Sequence, residues 1–141
     1  IPNAISIALV AAFCACVFAV GLTWQDAATH IAVGAVVLVV GFALFSFNLL
    51  GGGDAKLLAA GALWMGFDQI APYIIYVTLF GGMLSLAILF YRRFIPASNW
   101  PLPEWAHKLH GNGTGIPYGI AIAAAALKLY PATVWFKVLS A

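Results

Sequence analysis

Four acids, three histidines and two cysteines are the residues of this sequence best suited to chemistry, and one acid stands apart. Asp54 follows three consecutive glycines, Gly51-Gly52-Gly53, at the end of a long apolar stretch. Glycines free the backbone to turn sharply and let another chain come close. An aspartate placed just after such a turn sits at or near a helix N-terminus, where free N–H groups receive a carboxylate. An acid beside a membrane-length apolar run is costly and is by default a functional hypothesis. Spacing alone leaves two uses open, a structural helix cap and an acid–base group. Asp26, Asp68 and Glu104 each fall in a connection, where water can solvate them. Lys56 comes two residues after Asp54, about 200° around a helix. The two therefore form no intrahelical ion pair. Lys56 reads first as a cation reaching toward lipid headgroups, and second as a substrate contact.

The other chemistry-bearing residues form no recognisable centre. His107 and His110 lie in loop-like sequence, and His30 is placed on the opposite side of the membrane. No H-E-x-x-H or comparable pattern accompanies them, so neither metal nor cofactor is expected. Cys14 and Cys16 sit inside an apolar run at a spacing that fits neither a C-x-x-C site nor a disulfide framework; they read as small core hydrophobes. Serine and lysine are too sparse in the apolar stretches for an intramembrane serine protease.

The elements that must position Asp54 follow from composition. Of 141 residues, 65% are hydrophobic and 7% charged, with mean hydropathy +1.05. A soluble domain carries about 25% charged residues, so most of this surface faces lipid. The net charge of +2 is too small and scattered to indicate nucleic acid. The expected fold is all-α, a polytopic transmembrane helix bundle forming a single domain over residues 1–141, with about five spans.

The first span covers residues 4–22, entered through Pro2. A short polar connection, Thr23 to His30, leads to a second span over 31–50. Residues 55–66 rise only about 18 Å, too short to cross a ~30 Å hydrocarbon core alone. Pro72 favours a break or kink near Phe67-Asp68-Gln69. Another span runs from Ile70 to Tyr91. The polar stretch 94–115 reads as a surface loop with a short interfacial helix around Pro103–Leu109. The last span opens at Ile116-Pro117-Tyr118-Gly119, is interrupted at Pro131, and leaves residues 132–139 to continue it or lie along the interface. Counting spans alternately puts Lys56, Arg92, Arg93 and Lys108 on one side, which marks that side as cytoplasmic.

Gly51-Gly52-Gly53-Asp54-Ala55-Lys56-Leu57-Leu58 resembles the G-x-G-D motif of intramembrane aspartyl proteases, and most of all that of the type IV prepilin peptidase family. Ile1-Pro2-Asn3 is similar to the Ile-Pro-Asn that opens a helix after that family's first catalytic aspartate. Gly115-Ile116-Pro117-Tyr118-Gly119-Ile120-Ala121 is similar to its final-helix motif. Together, in family order over nearly the whole chain, the three matches point to the short Tad/Flp-type branch (CpaA- or TadV-like).

The resemblance implies a multi-pass protease of the bacterial inner membrane, with its active site facing the cytoplasm. It would cleave the basic leader from prepilins and pseudopilins just before their hydrophobic helix. Pilus-assembly machinery is a further partner. Two aspartates would activate a water, one as general base and the other, protonated, polarising the scissile carbonyl. Adjacent carboxylates titrate as a coupled pair, so one is readily kept neutral. Asp54 would be one member, with Gly51, Gly52, Gly53, Lys56, Pro117, Tyr118 and Gly119 shaping the site. The family's first aspartate precedes Ile-Pro-Asn. The expectation is therefore that this chain lacks an N-terminal segment carrying a helix and that aspartate, and is inactive alone. The C-x-x-C-bearing methyltransferase insert of the larger enzymes is absent, so peptidase activity without N-methylation is expected. The alternative from another class is a non-enzymatic membrane subunit of a pilus-assembly or transport system; a third is a preflagellin-peptidase or presenilin-like protease.

Overall fold

The computed structural model describes residues 2–94 and 118–140, nearly all of them helical and with no strand among them. Helix α1 (Asn3–Val20) follows Pro2, whose extended backbone leads into the first turn. It ends at Gly21, at φ 68° and ψ 37°, the left-handed conformation that glycine adopts most easily. Helix α2 (Trp24–Ser46) then starts at once. The polar connection expected as far as His30 is only residues 21–23 long. Its remaining residues form the first two turns of α2, because Thr23 and Asp26 make a cap. The Thr23 hydroxyl accepts from the Asp26 amide at 3.2 Å and donates to the Asp26 carboxylate at 2.6 Å. Asp26 is thus a helix-start residue.

Helix α2 stops at Ser46, short of the expected Leu50. Asn48 takes φ 58°, a left-handed conformation that asparagine tolerates, and the chain turns back into the glycine run. Helix α3 (Gly52–Phe94) is one assigned helix broken at Gly66, where φ is 66° and ψ −172°. The break lies six residues before Pro72, which is carried inside the second arm; glycine, not proline, makes it. The two arms fold back on each other. In a straight helix Leu58 and Tyr73 would be about 22 Å apart, yet the Tyr73 hydroxyl meets the Leu58 carbonyl at 3.5 Å. Tyr73 is completely buried, and a Cβ on Gly61 would collide with its hydroxyl. The expected separation of residues 55–66 from 70–91 therefore holds as two packed arms of α3.

Lipid tails are as apolar as leucine, so helices in a membrane associate through close packing and hydrogen bonds. The α2–α3 contact shows this. A Cβ on Gly34 would lie 3.2 Å from that of Leu63, and one on Gly41 would lie 3.2 Å from that of Ala55. These pairs also show α2 and the first arm to be antiparallel. Helix α4 (Tyr118–Leu129) packs on both arms, sending Ile122, Ala125 and Leu129 into a core with Ala62, Met65, Tyr73 and Val77. A 3-10 turn, Tyr130–Ala132, holds Pro131, and α5 (Val134–Leu139) follows, capped by Thr133. Helix α1 is the least embedded, with Phe13 its one buried residue.

Three helices, α1, α2 and α3, are long and apolar enough to cross a membrane. The shorter apolar helix α4 packs among them, and the whole fits an all-α membrane helix bundle. Cys14 does not belong to the core: it is exposed on α1, whereas Cys16 packs beside Phe13.

Candidate active site

Asp54 lies in the first turn of α3 but is not its cap. Gly51 precedes the helix, and its carbonyl accepts the Ala55 amide at 2.9 Å. The cap reading of Asp54 thus gives way to a carboxylate on the third helical residue, still at the positive end of the helix dipole. The glycines differ in what they admit. A Cβ on Gly51 would stand 3.1 Å from a carboxylate oxygen of Asp54, and one on Gly52 would stand 3.3 Å from the Phe45 ring. Gly53 is half-buried in the same turn.

The tertiary partner of Asp54 comes from α4. The backbone of Gly119, in the first turn of α4, comes close to the Asp54 carboxylate. Both residues line a groove of about 780 Å³ between α1, α3 and α4. Its walls are otherwise apolar or aromatic, including Leu9, Leu57, Trp64, Ala123 and Leu127, so among the described residues Asp54 is its one acid. Tyr118 stands beside Gly119 with its ring on Gly81, where a Cβ would come within 2.6 Å of a ring carbon. The second arm of α3 therefore returns to the level of Asp54 and fixes the start of α4 there. Pro117 lies outside the described residues.

Asp54 is also recessed. Gly41 packs at the level of Ala55, and α2 continues to Ser46, about 8 Å farther. The acid lies well inside the end of the bundle.

Lys56 faces away from this groove, as the helical angle requires. Its Nζ donates to the Asn3 side-chain oxygen at 3.0 Å, and it lines a second groove between α1 and α2. Asp26, Asp68, His30 and Lys137 line a polar cavity at the other end of the bundle, far from Asp54. No cluster able to hold a metal occurs among the described residues. Trp100, Glu104, Trp105, His107, Lys108 and His110 lie outside them.

The contacts at that far end join residues distant in the chain. The break at Gly66 deprives the Leu63 and Trp64 carbonyls of their helical partners. His30 Nδ1 pairs with the Leu63 carbonyl at 2.8 Å, and the Trp135 indole N–H donates to the Trp64 carbonyl at 2.8 Å. A buried carbonyl without a partner costs about 1–3 kcal/mol, so both side chains stabilise the fold-back. Phe13, His30, Trp64 and Trp135 pack their rings together, with centroid distances of 5.1–5.8 Å. The Trp64 indole N–H in turn donates to the Leu9 carbonyl at 3.0 Å, tying α1 to α3. The Thr-x-x-Asp cap at residues 23–26 was a legible signal that His30 is helical; nothing local marked Trp135 as a core residue.

A family model for the type IV leader peptidase family matches residues 1–89. The chain belongs to the type IV leader peptidase family. The match takes in α1, α2 and most of α3, including the glycine run, Asp54 and Lys56, and stops before α4. No curated protein and no solved structure matches the chain. As a family member it is a peptidase-type, multi-pass membrane protein with a leader-peptidase-like function.

Proposed function

We propose that this leader peptidase family member is an aspartic endopeptidase that removes the leader of Tad/Flp-type prepilins, with Asp54 as one of its two catalytic carboxylates. The observation that carries the reading is the setting of Asp54. It is the one acid among the described residues of an otherwise apolar groove, recessed from the bundle end and close to Gly119 at the start of α4. An apolar groove ending at an acid suits a substrate whose cleaved bond adjoins a hydrophobic helix. The helix would lie along α1, α3 and α4 and bring the preceding peptide bond to Asp54.

The chemistry needs two carboxylates. The ionised one takes a proton from water, and the resulting hydroxide adds to the scissile carbonyl carbon. The neutral one donates a hydrogen bond to the carbonyl oxygen. The C–N bond then breaks, and the proton held by the base passes to the leaving amine. Asp26 and Asp68 lie at the far end and cannot serve as the partner. The two-aspartate reading looks for it upstream of Ile1, next to the start of α1, which lies against the start of α3 through the Asn3–Lys56 contact. On the same reading the Asp54 end faces the cytoplasm of a bacterial inner-membrane protein.

The test is prepilin processing in membranes by full-length protein carrying Asp54→Asn. Cleavage should fall about 10³-fold, the scale of a lost acid–base group, with helical content unchanged. Wild-type processing by this variant would refute the assignment. The wild-type pH–rate profile should be bell-shaped, with one acidic group needed ionised and the other neutral.

A further inference from the structure

The second groove is separate from the one that holds Asp54. It measures about 690 Å³ and lies on the opposite side of the first α3 arm from Asp54. Its floor is Ala59, Ala60 and Leu63, and its walls come from α1 and α2, which diverge from their shared turn at Gly21–Thr23. The polar groups in its lining, Asn3, Ser6 and Lys56, gather at one end, and the rest is apolar.

Lys56 is the decisive residue. It is exposed, two residues beyond the recessed Asp54, and has no carboxylate partner among the described residues. Its one hydrogen bond, to Asn3, uses one of three ammonium donors. A lysine near the end of a membrane-spanning helix reaches toward the headgroup level. The groove opens onto lipid, a surface able to supply an anion. An occupant charged at one end and apolar along its length fits that lining, and basic pockets between transmembrane helices bind anionic headgroups.

We propose that this groove is a binding site for an anionic phospholipid, with its phosphate at Lys56 and Asn3 and an acyl chain lying between α1 and α2 against Ala59 and Leu63. The lipid would fill the cleft that divergence of α1 and α2 leaves open, and would neutralise Lys56. The site is independent of the Asp54 assignment, since no groove residue enters the cleavage chemistry.

The experiment is native mass spectrometry of the full-length protein, extracted in mild detergent and titrated with phosphatidylglycerol or phosphatidylcholine of the same chain length. Wild type should retain phosphatidylglycerol preferentially. Lys56→Gln should weaken that retention about fivefold and leave phosphatidylcholine unchanged, while Lys56→Arg should keep the preference. Ala35→Phe, at an exposed position in the α2 wall, should displace both lipids. Equal retention of the two lipids by wild type would overturn the proposal. So would unchanged phosphatidylglycerol retention in Lys56→Gln, or cross-linking of Ala35→Cys between two copies, which would make the occupant a second chain.

Discussion

The two ends of the first α3 arm are built on opposite principles. At the Gly66 end, three side-chain hydrogen bonds to backbone carbonyls and a four-ring cluster hold the chain in a conformation it would not adopt alone. At the Asp54 end, three glycines and the start of α4 stand around a half-buried acid, one lysine–asparagine bond lies on the opposite face of the arm, and each face opens on a groove. Ordered groups at one end fix the arm, and its other end is left accessible. A protease that must admit a peptide backbone needs that division, because a site is only as well placed as the elements supporting it and a closed one admits no substrate.

The largest effect that separates the ends should come from Asp54→Asn, with processing down about 10³-fold, equivalent to about 4 kcal/mol of barrier, and no change in thermal unfolding. A variant that also unfolded would make Asp54 part of the scaffold and erase the contrast. Gly66→Ala should do the reverse. A Cβ there would come 2.5 Å from the His30 ring and also force an unfavourable positive φ, a combined cost of about 3 kcal/mol or more. Loss of folded protein on detergent extraction would show it. Trp135→Phe keeps most of the ring but removes the indole donor to the Trp64 carbonyl, and should cost about 1–3 kcal/mol in denaturant unfolding. The smallest effect on folding belongs to Gly51→Ala, about 1 kcal/mol or less, because the nearest atom to the added methyl is a side-chain oxygen that can rotate. That rotation would move the Asp54 carboxylate, so processing should fall while unfolding barely shifts. Equal losses in both measurements would show the glycine run to be structural.

The all-α class, the membrane environment, the places of the main apolar spans and the special standing of Asp54 were all legible in the residues. Each is a local property. Apolar runs of membrane length must be helical because the backbone has no other partner in lipid, and an acid behind three glycines is conspicuous wherever the helices go. Several local signals were still misread. The break was credited to Pro72 although Gly66 makes it, because proline in the early turns of an arm is tolerated while positive φ selects glycine. The Thr23–Asp26 cap was taken for a loop, and the cap that spacing left open for Asp54 is not made. What no window of sequence contained was the meeting of distant residues: His30 with Leu63, Trp135 with Trp64, Tyr118 with Gly81, and Gly119 with Asp54. Those pairings depend on how the arms fold back and which small residues let helices touch. Asp54 as a candidate was therefore given by the chain itself. The recessed groove and the approach of Gly119 to Asp54 were decided by tertiary packing, because only packing fixes which long-range neighbours a side chain meets.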